Sequence, residues 1–138
     1  MTRDDEGILD TSAVILLGTI EPFELPRTPR ITTLTLAELA VGPLAARDEA
    51  ERLVRQARLL QTEAAFDPIP FDDRAARAFG TVAANLRQMG RKAAARTFDA
   101  MVAAVAVSRD LPLFTANPRD FAGIDSLVVK PISQKPPA

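Results

Sequence analysis

Short apolar runs alternate with helical segments along this chain, and no other feature of the sequence constrains the fold as strongly. The predicted strands are Gly7 to Asp10, Arg30 to Thr33, Leu111 to Thr115 and Leu127 to Lys130. Strands that are joined through helices pair in parallel by right-handed crossovers. We therefore predict an α/β fold in which helices flank a short parallel sheet of four or five strands.

Capping residues and apolar periodicity indicate where the helices begin. The first is predicted over Ala13 to Leu17, with Thr11 or Ser12 as its N-cap. The second begins at Thr35, because Thr35-x-x-Glu38 has the spacing of a capping box. Further helices are expected over Leu44 to about Ala65, from a cap at Asp72 or Asp73 to Gly90, and over about Thr97 to Ser108, the last being apolar on nearly all sides.

The length of 138 residues, with 47% hydrophobic and 25% charged residues, is typical of one globular domain. We predict a single domain over 1–138, with residues 1–6 and 134–138 as flexible ends. The first residues are acidic, and no uncharged apolar stretch approaches the roughly 18 residues of a membrane span. These features predict a cytoplasmic protein without a membrane partner.

The chain contains no Cys, His, Trp or Tyr. Disulfides, zinc sites built from Cys or His, Ser-His-Asp triads and Cys nucleophiles are therefore excluded. A formal net charge of −1 shows no overall bias towards nucleic-acid binding. If the protein is an enzyme, carboxylates must perform most of its chemistry.

Several polar residues follow predicted strand ends or open predicted helices. They are Asp10, Glu38, Asp99, Asn117 and Asp120. If the strands of Leu9 and Phe114 are neighbours, these side chains converge at the carboxyl edge of the sheet, where open parallel sheets bind ligands. Carboxylates gathered without imidazole or thiolate favour Mg²⁺ or Mn²⁺, and these ions suit phosphoryl chemistry.

Each of these residues also has a purely structural explanation. Asp10 precedes a helix and could be a turn residue, and Glu38 could close the capping box. The helix dipole favours an acid at Asp99. Asn117 and Asp120 flank a proline, as ordinary turn residues do. Taken singly, these residues leave both the structural and the functional interpretation open.

Four runs that contain these residues follow one another along the chain. They are Leu9-Asp10-Thr11-Ser12, Thr35-Leu36-Ala37-Glu38-Leu39, Phe98-Asp99-Ala100-Met101-Val102-Ala103-Ala104 and Leu113-Phe114-Thr115-Ala116-Asn117-Pro118-Arg119-Asp120-Phe121. In this order and spacing, they resemble the PIN-domain ribonucleases, in particular the VapC-type toxins of toxin–antitoxin pairs. The resemblance extends from Ile8 to about Val129.

The resemblance implies a Mg²⁺-dependent endoribonuclease, with Mn²⁺ as a substitute ion, that cleaves structured RNA such as tRNA or rRNA by a metal-activated water. It also implies a cognate antitoxin and a homodimer. Carried over by position, Asp10 and Asp99 are the principal metal ligands and Glu38 is a third acid of the site. The family's fourth acidic position falls at Asn117, so the number of metal ions stays open, and Asp120 can supply the missing charge.

Three cations precede Asp99 and are candidates for binding RNA phosphates, although a solvated loop would explain them equally well. They are Arg91, Lys92 and Arg96. The main alternative function is a catalytically silent PIN-like module that binds a protein or an RNA, and Asn117 is its best support. A haloacid-dehalogenase-like phosphatase is excluded, because Ser12 stands where that class needs a second Asp.

Overall fold

A parallel sheet of four strands forms the centre of the computed structural model, which describes residues 3–92 and 96–136. The strands are β1 Glu6–Leu9, β2 Thr28–Arg30, β3 Leu113–Thr115 and β4 Val129–Pro131. Their order is β2-β1-β3-β4, and each neighbouring pair is parallel. Leu9 of β1 pairs with Phe114 of β3, as the convergence of the acidic residues requires. The predicted α/β class is confirmed.

Five helices flank the sheet in the described residues. They are α1 Thr11–Ile15, α2 Thr33–Val41, α3 Glu49–Ala65, α4 Asp73–Gln88 and α5 Thr97–Arg109. The connector between α1 and β2 contains two 3₁₀ turns, Leu17–Thr19 and Pro22–Glu24.

Successive residues of a strand face opposite sides of the sheet, and this alternation divides the core into two clusters. Ile8 and Leu113 pack on one face with α4 and α5, whose Val82, Leu86 and Val102 are almost fully buried. Leu9 and Phe114 pack on the other face, with residues of α1, Ile31 and Ile132. The apolar helix α5 is thus buried on most sides, as its composition predicted.

The N-caps correct two predicted helix starts. Asp10 itself caps α1, since its side chain accepts a hydrogen bond from the N–H of Ala13, so the predicted cap at Thr11 or Ser12 is wrong. Thr32 caps α2 and accepts from the N–H of Thr35. Thr35 is therefore the third residue of the helix, and the predicted capping box between Thr35 and Glu38 is also wrong.

The start predicted for α3 is five residues too early. Gly42–Ala45 forms a 3₁₀ turn that contains Pro43, and Ala46 is extended. The α-helix then begins at Glu49, where the side chain of Asp48 accepts from the N–H of Glu51. The side chain of Asp72 caps α4 in the same way, by accepting from the N–H of Ala75. Asp72 is one of the two residues predicted as this N-cap.

The second strand lies earlier in the chain than predicted, at Thr28–Arg30 instead of Arg30 to Thr33. It includes Pro29, which lacks an N–H but is tolerated because β2 is an edge strand of the sheet. Thr32 makes only an isolated bridge to Ile69. The other strands match their predicted positions within about two residues.

Parts of both predicted flexible ends are hydrogen-bonded. The carbonyls of Asp4 and Asp5 accept from Arg27 and Thr28, and the N–H of Lys135 donates to Thr19. The limits of the domain stay a prediction, because the first two and the last two residues lie outside the described part. Within that part, no helix has the length and apolar character needed to cross a membrane.

Candidate active site

The candidate site lies at the carboxyl ends of β1 and β3, which are neighbours in the sheet. Asp10 directly follows β1, and its N–H donates to the carbonyl of Phe114 in β3. The turn that holds Asn117 and Asp120 follows β3. Glu38 and Asp99 approach the same edge from α2 and α5.

The carboxylate of Asp10 is held by three hydrogen bonds. Its Oδ1 accepts from the N–H of Ala13 at 2.9 Å and from the Ser12 hydroxyl at 2.6 Å. Its Oδ2 accepts from the Thr115 hydroxyl at 2.6 Å. Asp10 is only 5% exposed, so these donors replace the water that a buried carboxylate loses. The orientation of the group is consequently fixed by its own helix and by β3.

Glu38 lies in the interior of α2 and points towards the end of β1. The Thr11 hydroxyl donates to its Oε1 at 2.6 Å, and the hydroxyls of Thr11 and Thr35 are 3.2 Å apart. Thr35 is fully buried. Glu38 therefore does not cap its own helix. Its carboxylate points from α2 towards α1 and contacts Thr11, the residue after Asp10.

Asp99 lies in the first turn of α5, with 35% of its side chain exposed. The pKa of Asp99 is raised to about 6, first by loss of water and further by the negative charges of Asp120, Glu38 and Asp10. The positive charge of Arg96 lowers this pKa, but it does not offset the other effects. The four carboxylates thus form one electrostatic cluster, as the sequence predicted.

Arg96 immediately precedes α5 and faces two of these acids. Its Nη1 donates to Asp120 Oδ1 at 2.5 Å and lies 3.9 Å from Asp99 Oδ2. Asp120 itself lies in the 3₁₀ turn Pro118–Phe121. The sequence predicted Arg96 only as a contact for RNA, so its pairing with the acids is an additional finding.

The remaining predicted residues lie around this cluster. Asn117 is exposed, and its N–H donates to the Thr115 hydroxyl at 2.9 Å. The Arg91 guanidinium donates to the carbonyl of Arg119 at 2.9 Å. Lys92 is exposed. The turn after β3 therefore receives contacts from both the strand and the segment before α5.

The donor set consists of oxygen atoms, which suits a hard divalent ion. Within residues 3–92 and 96–136, however, no three acidic side chains are arranged so that they could hold a metal ion together. In this arrangement, Glu38 is turned towards Thr11 and Asp120 towards Arg96. The chemistry of the cluster fits Mg²⁺, and the ligand roles of Asp10, Asp99 and Glu38 stay a prediction.

A shallow pocket of about 390 Å³ opens at this cluster and is lined by Glu38, Asp99 and the residues from Arg96 to Phe98. A larger groove of about 570 Å³ lies between α1 and α3. Its lining is mostly apolar and contains no carboxylate. The smaller and more polar pocket is therefore the one that opens onto the carboxylates.

Comparison with known proteins agrees with this arrangement. A sequence model of the PIN domain matches residues 8–127. The chain belongs to the PIN-domain family. Within the family it is 38% identical over 127 residues to Ribonuclease VapC5 of Mycobacterium tuberculosis, an alignment that covers 90% of this chain and 91% of that protein. The resemblance to VapC-type proteins is confirmed.

Solved structures of VapBC systems share the fold. The toxin–antitoxin structure VapBC-5 from Mycobacterium tuberculosis matches with a TM-score of 0.77 and 35% identity, over 92% of this chain and 98% of that chain. VapBC2 from Rickettsia felis matches with a TM-score of 0.73 over 93% of this chain and 99% of that chain. At 19% identity, the second match supports the PIN fold alone.

Four hydroxyl groups that sequence reasoning did not select hold the acids of this PIN domain in place. They belong to Thr11, Ser12, Thr35 and Thr115. The sequence predicts Thr11, Ser12 and Thr35 as helix caps and Thr115 as a strand residue, and the runs that resemble PIN-domain ribonucleases contain all four without assigning them a role. A sequence signal did exist, since Thr11 and Ser12 directly follow Asp10 and Thr115 is the last residue of a strand predicted beside it.

Proposed function

We propose that this protein is a Mg²⁺-dependent endoribonuclease and the toxin of a toxin–antitoxin pair, acting in the cytoplasm on structured RNA such as tRNA or rRNA. The observation that carries the proposal is the cluster of Asp10, Glu38, Asp99 and Asp120 at the carboxyl edge of the sheet. A chain without Cys or His can hydrolyse a phosphodiester in this way. The 38% identity to Ribonuclease VapC5 supports the same assignment.

In this proposal, Asp10 and Asp99 are the principal ligands of the metal and Glu38 is a third. A bound Mg²⁺, or Mn²⁺ in its place, would supply an activated water and neutralise charge on the phosphate. Asp10 is already oriented by Ser12 and Thr115. Glu38 reaches the same edge, where its carboxylate accepts from the Thr11 hydroxyl.

Asn117 and Asp120 complete the proposed site. Asn117 offers a neutral amide oxygen at the position where the family has its fourth acid, and it is exposed. Asp120, three residues later in the same turn, offers the charge that Asn117 lacks. Because Asp120 is paired with Arg96, it would reach a metal ion held by Asp10 and Asp99 only after that pair is broken.

The RNA would approach along the segment before α5. Lys92 is exposed, and Arg91 and Arg96 lie beside the turn after β3. A guanidinium can bind a phosphate through two parallel hydrogen bonds, which suits recognition of the RNA backbone. This contact would be independent of the base sequence.

A cognate antitoxin is the proposed protein partner, and a homodimer is the proposed assembly of the toxin. An acidic pocket attracts a basic side chain, so we infer that the antitoxin inserts an Arg or Lys there. The exposed aliphatic side chains of α3, Leu53, Val54 and Leu60, provide apolar surface for protein contacts. A purified antitoxin that binds without inhibiting cleavage would contradict the inferred insertion.

The proposal is tested by incubating the purified protein with total tRNA and with rRNA in Mg²⁺, in Mn²⁺ and in EDTA. We expect cleavage in either metal and none in EDTA. Asp10→Asn and Asp99→Asn should each abolish cleavage, because each removes a charged ligand and keeps the side-chain size. Asp67→Asn is the matched control, since Asp67 is exposed and lies outside the site.

Mg²⁺ should also raise the melting temperature of the wild type, because the ion binds the folded acid cluster and not the unfolded chain. Cleavage that survives both substitutions would overturn the proposed mechanism. A folded wild type that neither cleaves RNA nor binds a divalent ion would instead be a silent PIN-like binding module.

A further inference from the structure

Arg96 joins two of the four clustered acids and is the only Lys or Arg that forms an ion pair with any of them in the described part of the chain. Its Nη1 lies 2.5 Å from Asp120 Oδ1 and 3.9 Å from Asp99 Oδ2. No hydrogen bond from Arg96 to a backbone carbonyl is seen among these residues, unlike for Arg91. In the described residues, the guanidinium thus contacts the two carboxylates of Asp120 and Asp99.

We propose that Arg96 is an internal counter-ion that competes with the divalent cation for Asp120 and Asp99. The inference rests on the proposed function, because it concerns the same metal site. In the metal-free protein, the guanidinium occupies the space and the carboxylate oxygen that a dication would need. Binding of the ion must then displace Arg96 from Asp120, and Arg96 weakens the affinity of the site for the metal.

The charges make this competition necessary. Four carboxylates carry a formal charge of −4, and a single guanidinium offsets only part of it. A dication brings twice the charge of Arg96 to the same oxygens, so the two cations repel each other when both lie near Asp99. With 46% of its side chain exposed, Arg96 can move into solvent without leaving a buried charge behind.

The competition also explains the arrangement of the acids. The turn that carries Asp120 is held towards Arg96, and so no three carboxylates of the described chain surround one point. A displaced guanidinium beside the metal is placed to meet an RNA phosphate, which would couple metal binding to substrate binding.

The test measures Mn²⁺ binding by isothermal titration calorimetry on the whole chain without RNA. Arg96→Gln is the test variant, and Arg91→Gln is the matched control, because the Arg91 guanidinium donates to a backbone carbonyl and forms no ion pair with an acid of the described residues. We expect Arg96→Gln to bind Mn²⁺ about five- to tenfold more tightly than the wild type, because the variant has no cation to displace from Asp120 and none to repel the dication. The control should stay within about twofold of the wild type, because charge effects decay through solvent.

Arg96→Lys and thermal melts keep the test decisive if Arg96→Gln folds poorly. In Arg96→Lys the positive charge is kept, so this variant should bind Mn²⁺ with wild-type affinity and should melt near the wild type. In thermal melts, Mg²⁺ should raise the melting temperature of Arg96→Gln more than that of the wild type.

Unchanged or weaker Mn²⁺ binding in Arg96→Gln would overturn the role of Arg96. If the wild type at the same time binds Mn²⁺ and cleaves RNA, the proposed function stands and only this inference fails. If the wild type binds no divalent ion, the metal-dependent function fails first. An equal gain in affinity for the Arg91 control would show a general charge effect and would also overturn the inference.

Discussion

Removing the charge of Asp99 should stabilise the metal-free protein at neutral pH. Burial and the charges of Asp120, Glu38 and Asp10 raise the pKa of Asp99 to about 6 in the folded state, from an ordinary value of 3.8. The folded chain therefore retains this proton at a pH where the unfolded chain has released it. The associated stability is complete below pH 3.8 and is lost as the pH rises to about 6.

The magnitude follows from the difference between these two pKa values. It corresponds to at most about 3 kcal/mol of unfolding free energy. Because 35% of the Asp99 side chain is exposed, solvent screens part of the repulsion, and we expect about 1 to 2 kcal/mol. Asp99→Asn keeps the shape of the side chain and removes this cost. The variant should therefore be more stable than the wild type at pH 7.5 by that amount.

The assay is urea unfolding in EDTA at pH 7.5 and again near pH 4. The advantage of Asp99→Asn should be present at the higher pH and mostly absent at the lower one, where the wild-type carboxyl is protonated. Asp67→Asn, an exposed acid, should show no such dependence. A variant no more stable than the wild type at pH 7.5, or equally favoured at both pH values, would refute the electrostatic argument.

Three further substitutions test how the site is built. Glu38→Gln should retain the Thr11 contact and wild-type stability in urea but lose most RNA cleavage, and activity equal to wild type would exclude a charged role. Thr115→Val removes a donor from buried Asp10 and should cost about 1 to 3 kcal/mol of unfolding free energy; an unchanged urea midpoint would contradict this. Gly7→Ala places a Cβ 2.4 Å from the Phe114 ring and should cost a similar 1 to 3 kcal/mol, roughly, so a wild-type melting curve would contradict the packing.

The sequence predicted the architecture because the strands are short, apolar and separated by helices. Periodicity located α4 and the buried α5 within about two residues. The second strand is misplaced, because the β-branched residues after Arg30 favour a strand there, whereas in the sheet Pro29 pairs with Gly7. Such pairing depends on which strand lies at the edge of the sheet, and local composition does not contain that information.

The acidic residues of the candidate site could be predicted from the sequence, but the side chains that bind them could not. Asp10 and Asp99 follow from their positions at a strand end and at a helix start. Thr115, whose hydroxyl donates to Asp10, lies 105 residues from it in the sequence, and Arg96 lies 24 residues from Asp120. These contacts depend on tertiary placement, so only the folded arrangement shows that each acid already has a partner.

Asp10 shows that a structural and a functional role need not exclude each other. Its Oδ1 caps α1 through Ala13, and its Oδ2 faces β3 through Thr115. A carboxylate has about four lone-pair positions, and three hydrogen bonds leave one for a further ligand. The cap holds the group in one orientation, which lowers the entropy that a metal ligand would lose on binding. The same contacts that make Asp10 an N-cap would therefore also position it as the metal ligand that we propose.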